Sequence, residues 1–538
     1  MLTDILELDN QATLRGQAVV IGSGIAGAEV ATFLARNGHD VVLIESGRDR
    51  FDPAIQALND VVFLGKRHRE LNPDSYYHQY LPRELRGVSR VRQFGGTSNV
   101  WTGKWKYLQP VDFEGRPWVE NSGWPIDFTD LLEHYRSAAE DYGFGDLEAE
   151  AMRPAIVDLH ERMAESGLKF SSFYWEESPT RTAKRFGEEM RRSQNLRGVL
   201  GATVTELRLD DSCQRVTAVK CRSLEGREIT VEGDTVVLAM GAFETARLLL
   251  ASDQQQPGGI GNACDLVGRF YTDHPKHHTG KLHPGRLAQQ YGHELQYGPK
   301  PRFCICFALD DTTQQQHKLL EHVLYLQPIY AGLAGRVWQR LQGRSICRDA
   351  NGMVSHYRVK FVTEQAPQSD SRVKLDAELD VLGQRKLAVD WCFTDQDRRS
   401  MAKTLELLAE RFAEVGLGTF DFGDDPPSLE SMTDAAHQMG TTRMSASPDS
   451  GVVDTNCRVF GTDNLYVAGS AVFPTGPSYS PTFTILALAR RLGQHLLQTM
   501  PTVGNGNIAG AASRDSLMTS VSPGAQASFA ELKDAAVD

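Results

Sequence analysis

The sequence predicts an α/β fold in which a nucleotide-binding domain is joined to an α+β domain carrying an antiparallel sheet. Three observations predict it. Residues 17–46 read as strand, helix and strand around the run Gly22-Ser23-Gly24-Ile25-Ala26-Gly27. From about Phe270 to Phe422, alternating apolar and polar segments lead into one long amphipathic helix. The chain of 538 residues also exceeds the size at which a single core keeps growing.

In the first unit "QAVVIG" is a buried strand, "AGAEVATFLARNG" has helical periodicity and ends on Gly38, and "DVVLIES" is the second strand. Gly22 permits a tight turn, Gly24 lets the backbone approach a pyrophosphate, and Gly27 allows close packing of the helix. The helix start offers free N–H groups to the anion, and Glu45 is placed to accept hydrogen bonds from a ribose. The motif alone leaves FAD and NAD as alternatives. Further on, "ATVTELRLDD", "RVTAVKCRS" and "REITVEGDTVVLAMGA" form a meander expected to feed back into the first sheet. The segments "KLLEHVLYLQPIYAG", "GMVSHYRVKFVTEQ" and "QRKLAVDWCFT", with the helix in "DQDRRSMAKTLELLAERFAEVGLG", build the second sheet. "NLYVAGSAVFP" reads as a buried strand ending at small residues, with a helix starting after Pro481. The expected division is 1–269 nucleotide domain, 270–422 substrate domain, 423–501 return to the nucleotide domain, and 502–538 a flexible Gly/Ala/Ser-rich tail.

A net charge of −12 disfavours nucleic acid and anionic membrane surfaces as partners, and favours a small neutral or cationic substrate. "MLTDILELDNQATLRGQ" lacks the pattern of a signal peptide and no apolar stretch reaches membrane-span length, so a cytoplasmic chain is expected. The eight cysteines show no metal-ligand spacing and read as reduced, mostly buried thiols.

Five stretches make the sequence resemble the glucose-methanol-choline (GMC) oxidoreductases. They are "FGGTSNVWTG" (94–103), "VVLAMGAFETARLLL" (236–250), "LVGRFYTDHP" (266–275), "HQMGTTRM" (437–444) and "VVDTNCRVFGTDNLYVAGSAVFPT" with "SPTFTILALARRLG" (452–493). "DFEGRPWVENSGWPIDFTDLLEHYRSAAE" (112–140) further resembles the branch acting on sugars and glycosides. The resemblance implies a Rossmann-like FAD-binding domain and oxidation of a CH–OH group of a sugar, glycoside, aminocyclitol or related alcohol by hydride transfer to flavin N5. It implies FAD contacts at Gly22, Gly24, Ile25, Ala26, Gly27 and Glu45, at Gly95, Gly96, Thr97, Ser98 and Asn99, and at Val204, Gly241, Gly469, Ser470, Pro481 and Thr482. Oxygen, a quinone and a carrier protein stay open as electron acceptor.

By the same resemblance His437 is the base that takes the hydroxyl proton, a task suited to imidazole. About forty residues later the family has a second His or an Asn; here the aligned residue, 43 positions on, is Ser480. A serine hydroxyl donates one hydrogen bond but cannot act as a second base, so Tyr479 or a water is expected to compensate, and an altered flavin reaction (cyclisation, desaturation or a lyase-like step) is the alternative. Val100 stands before Trp101, where some sugar-oxidising relatives carry a flavin-linked histidine, so FAD is expected to be noncovalent. At most one tryptophan, Trp101, is expected at the substrate, and "DHPKHH" is not expected to hold a metal.

Overall fold

Ala18–Ile21 and Val41–Ile44 are runs buried on both faces, a pattern that suits parallel strands covered by helices. The computed structural model describes residues 1–65, 81–86, 88–144, 154–163, 165–176, 178–277, 280–291, 302–330, 332, 354–423 and 427–500. In it these runs lie in β2 (Ala12–Ile21) and β3 (Val41–Ile44) of an eight-stranded sheet. β3 pairs β7 (Leu196–Leu200), which pairs β1 (Leu2–Asp4); β2 pairs β10 (Glu228–Leu238) on its other side, and all these ladders are parallel. β8 (Thr203–Leu209) and β9 (Val216–Arg222) are the expected meander: β8 is antiparallel to β9, and β9 to the first half of β10. The second half of β10, Val236–Leu238, is paired by β19 (Leu465–Val467), a parallel strand arriving from the far end of the chain.

The helix Ile25–Arg36 follows β2 and packs under the helix Thr482–Thr499, where Gly493 leaves room for the Phe33 ring and Arg490 pairs with Glu29 at 2.8 Å. The later helix begins at Thr482, directly after Pro481, as its sequence predicts.

The second sheet is also eight-stranded, ordered β18 (Gly418–Asp421), β12 (Lys281–Pro284), β15 (Val354–Thr363), β14 (His322–Tyr330), β13 (Arg302–Leu309), β6 (Leu168–Trp175) and β5 (Lys104–Trp105), with β11 (Lys276–His277) also on β15. Every ladder in it is antiparallel. Along β15, Tyr357, Val359 and Phe361 point into an apolar core that includes Met401, Leu408 and Phe412 of the helix Asp395–Glu414. Their alternates face the other way, toward the cavity described below. A three-stranded sheet, β16 (Arg372–Leu379), β17 (Arg385–Asp390) and β4 (Val61–Phe63), joins early and late chain.

The boundary expected at 270 therefore does not coincide with a layer: β5 and β6 come from before it, and β4 pairs with β17 beyond it. Ladder partners are chosen by tertiary fit, which local alternation does not encode. The tail expected at 502–538 lies outside the described residues. Six cysteines are described as free thiols: Cys221, Cys306 and Cys457 are buried, Cys213 and Cys392 half-buried, and Cys264 exposed. No helix among the described residues is long and apolar enough to cross a membrane.

Candidate active site

A cavity of about 940 Å³ runs from the end of β2, past the start of the Thr482–Thr499 helix, to the open face of the second sheet. That volume is at the upper end for small-molecule sites and leaves room for a large cofactor together with a substrate.

At its first end the chain turns sharply at Gly22, φ +102°, where a Cβ would lie 2.5 Å from the Ala239 carbonyl oxygen. A Cβ on Gly27 would meet the Gly22 carbonyl at 1.9 Å, so helix and turn are packed backbone to backbone. Glu45 is buried and well organised: its Oε2 accepts from the Ser23 N–H (2.9 Å) and hydroxyl (2.6 Å), and its Oε1 from the Gly47 N–H (2.8 Å). Ser23 Oγ in turn accepts from the Gly95 N–H at 2.9 Å, which ties the first glycine run to the second. Asn99 holds that second turn by donating to the Phe94 and Gly96 carbonyls, each at 3.0 Å.

At the other end His437 forms part of the wall. Asp273 positions its backbone, accepting from the N–H groups of His274 (2.7 Å), Ala435 (3.0 Å) and His437 (3.0 Å). The following segment is bonded to its neighbours through Met439 with Thr272 and Gly440 with Ser470. The two imidazoles meet at 2.9 Å, Nδ1 to Nδ1, with ring planes near perpendicular at 82°. Only one of these atoms can carry the shared proton. The Gly476 and Pro477 carbonyls lie beside His274 and favour a proton on its ring, although neither closes a hydrogen bond of full geometry with Nε2. Burial drives the His274 pKa down to about 4. His437 is pushed well below the usual histidine range by burial, and further by His274, Lys276, Lys360 and Lys104. Both rings are therefore neutral at neutral pH.

Two family models match the chain: one described as GMC oxidoreductase over residues 367–489, and one described as an NAD(P)-binding Rossmann-like domain over residues 20–51. Full-length similarity extends to the 6'''-hydroxyparomomycin C oxidase of Streptomyces lividus, 26% identical with 88% of this chain and 89% of the relative covered. The paromamine 6'-oxidase of Streptomyces fradiae is 25% identical, with 88% and 90% covered. This chain is a GMC oxidoreductase. In fold it is similar to the crystal structure of pyridoxine 4-oxidase from Mesorbium loti, with a TM-score of 0.58, 19% identity, and 90% and 99% of the two chains covered. As a GMC oxidoreductase it is an FAD-dependent enzyme acting on alcohols.

The cavity of this GMC oxidoreductase fits FAD. Gly24, Gly241 and Gly469 all line it, and at each a Cβ would meet no atom within 4 Å, so three bare backbone stretches face the space a cofactor needs. Ile25, Ala26, Glu45, Gly96, Thr97, Ser98, Val204, Ser470, Pro481 and Thr482 line it as well. Gly27, Gly95 and Asn99 do not; they shape the turns from behind. Ser480 lines the cavity near the helix start, its hydroxyl only loosely held, 3.5 Å from the Thr482 hydroxyl. Tyr479 does not compensate for it: the ring is buried under the Lys106 ammonium at 3.4 Å and its hydroxyl donates to Glu321 at 2.9 Å, away from the cavity. Trp101 lines the wall with its indole N–H committed to the Thr180 carbonyl at 2.6 Å, whereas Trp105, Trp118 and Trp124 lie elsewhere. His277 bonds Ser431 at 3.1 Å and His278 lies outside the described residues; among those described no group of three or more ligand-type side chains is arranged for a metal.

Sequence reasoning missed Ser23, His274 and the cations of the second sheet. His274 was within a quoted motif, but its contact with a residue 163 positions away has no local signal. Arg358 and Lys360 had one: at a spacing of two in a strand they share a face.

Proposed function

We propose that this enzyme oxidises a CH–OH group of a sugar- or glycoside-like alcohol to a carbonyl, with His437 as the base. Bound FAD supplies the hydride acceptor, flavin N5. The two relatives named as oxidases of paromamine and of a hydroxyparomomycin support a polyhydroxylated substrate. The observation that carries the reading is the contact of buried His274 with His437, which lines a cavity that fits FAD. With the proton of His274 on Nε2, its Nδ1 accepts, His437 donates from Nδ1, and the Nε2 lone pair of His437 is available to the substrate hydroxyl. His274 is thus a positioning residue that sets the tautomer of the base. Ser480 donates one hydrogen bond to the substrate oxygen.

The test is anaerobic: a panel of sugars, glycosides and simple alcohols is mixed with the purified holoenzyme and the flavin absorbance followed. Bleaching with a carbonyl product is expected. Reduction that yields a cyclised or desaturated product transfers the site to the altered chemistry suggested by Ser480, and no bleaching by any alcohol overturns the reading.

A further inference from the structure

The open face of the second sheet is basic where it meets His437. Register places Tyr325 opposite Lys360 and Gln327 opposite Arg358 across β14 and β15, and Lys276 follows on β11 opposite Val362. All of these residues line the cavity, as does Lys104 from β5, whose ammonium sits 5.0 Å from the Tyr325 ring centre while that of Lys360 sits 5.5 Å from it. Arg358 is exposed at the rim and Lys276 and Lys360 are half-buried deeper in. Among the described residues Asp434 is the carboxylate lining this end, and it acts on Lys276 together with the buried Asp273 behind the wall.

The other charged groups of the cavity are matched. Glu244 takes Arg90 at 3.2 Å and Arg92 at 2.5 Å, Arg247 takes Asp380 at 2.7 Å, and Glu45 is satisfied by N–H and hydroxyl donors. Among the described residues, Lys276, Lys360 and Arg358 outnumber the carboxylates lining the reacting end, a local excess of positive charge. Aromatic faces offset part of it, as the Tyr325 ring does for Lys360. Burial first, and then Lys104 and Lys276, hold Lys360 well below the usual lysine range. The phosphates of FAD do not relieve this, because the glycine turn and helix start that receive them are at the opposite end of the cavity.

We infer that the alcohol oxidised here carries an anionic group, a carboxylate or a phosphate, seated on Lys276, Lys360 and Arg358 beside His437. The inference rests on the function proposed above and narrows it. It reverses the expectation drawn from net charge of a neutral or cationic substrate, and disfavours an aminocyclitol, whose ammonium groups would face like charge.

The test uses oxidised holoenzyme and the visible flavin band as reporter of binding. The probes are sulfate, glucose, glucuronate, glucose 6-phosphate and glucosamine. Saturable band shifts with sulfate and with the acidic sugars are expected, at affinities at least about tenfold above glucose, with glucosamine weakest; glucuronate against glucose 6-phosphate tells carboxylate from phosphate. Lys276→Gln and Lys360→Gln should each weaken the anions about tenfold, the scale of one charge-assisted hydrogen bond, while retaining FAD. Arg358→Gln, at an exposed position, provides a variant whose folding is not in question and should weaken them likewise. Equal or absent binding across the probes, or lysine variants that shift the flavin midpoint potential but leave anion binding unchanged, would overturn the inference. Flavin bleaching by a neutral or amino alcohol, with no preference for anions, would overturn it while leaving the proposed function standing.

Discussion

A proton shared by two imidazoles sits on one ring at a time, so the chemistry of His437 is decided partly by what His274 accepts. If His274 Nδ1 is the acceptor that keeps the base in its working tautomer, His274→Gln, whose carbonyl can replace it, should keep most of the activity and His274→Leu should not. Flavin-reduction rates in the two variants, at equal FAD content, check this. His437→Ala should retain FAD and slow anaerobic reduction by roughly 10²-fold, the usual scale for a lost general base. The pH profile carries its own sign. A base held neutral by burial and neighbouring cations keeps its lone pair as pH falls through 6.5, so the reduction rate should stay flat there and drop only at distinctly lower pH. Lys276→Gln removes a cation that opposes the imidazolium and should move that drop upward. An inflection near 6.5 in the parent enzyme would mean that another group titrates. Ser480→Ala should cost about tenfold, one neutral hydrogen bond. Ser480→Asn tests whether the pocket still admits a larger residue there.

At the scale of elements, the first strand, helix and strand were legible because every constraint in them is local: tight turn, helix start and apolar runs lie within residues 17–46. The two glycines of that unit that look alike in sequence should part in experiment. Gly27→Ala places a methyl into the Gly22 carbonyl and should destabilise the fold itself by about 3 kcal/mol or more, read as a lowered Tm. Gly24→Leu meets open space in the protein and should leave the apoprotein folded by circular dichroism while abolishing FAD retention. The second sheet was legible as alternation, but not as assembly. The sequence around β15 shows which residues share a face; that this face receives the substrate follows only once β5, β11 and β14 are laid beside it from distant parts of the chain. Tyr479 is the converse case, a residue adjacent to Ser480 in sequence and turned into the core by Glu321 and Lys106.

At the scale of the whole molecule, a net charge of −12 gives the mean field and says nothing about a concave pocket where cations gather. Nor does Val100, buried in the cavity wall, offer an atom for covalent attachment, so acid or heat should release intact FAD into the supernatant. Flavin remaining with the precipitated polypeptide would show another attachment site. The position of β19 bears on how the protein is made. Until residues 465–467 have left the ribosome, Val236, Val237 and Leu238 present an apolar strand with one bare edge, and the wall that carries Gly469 and Ser480 does not yet exist. A nascent chain stopped short of that point would be unable to retain flavin and prone to edge-to-edge self-association, so this enzyme should depend on chaperones during synthesis and acquire its colour only after translation is nearly complete.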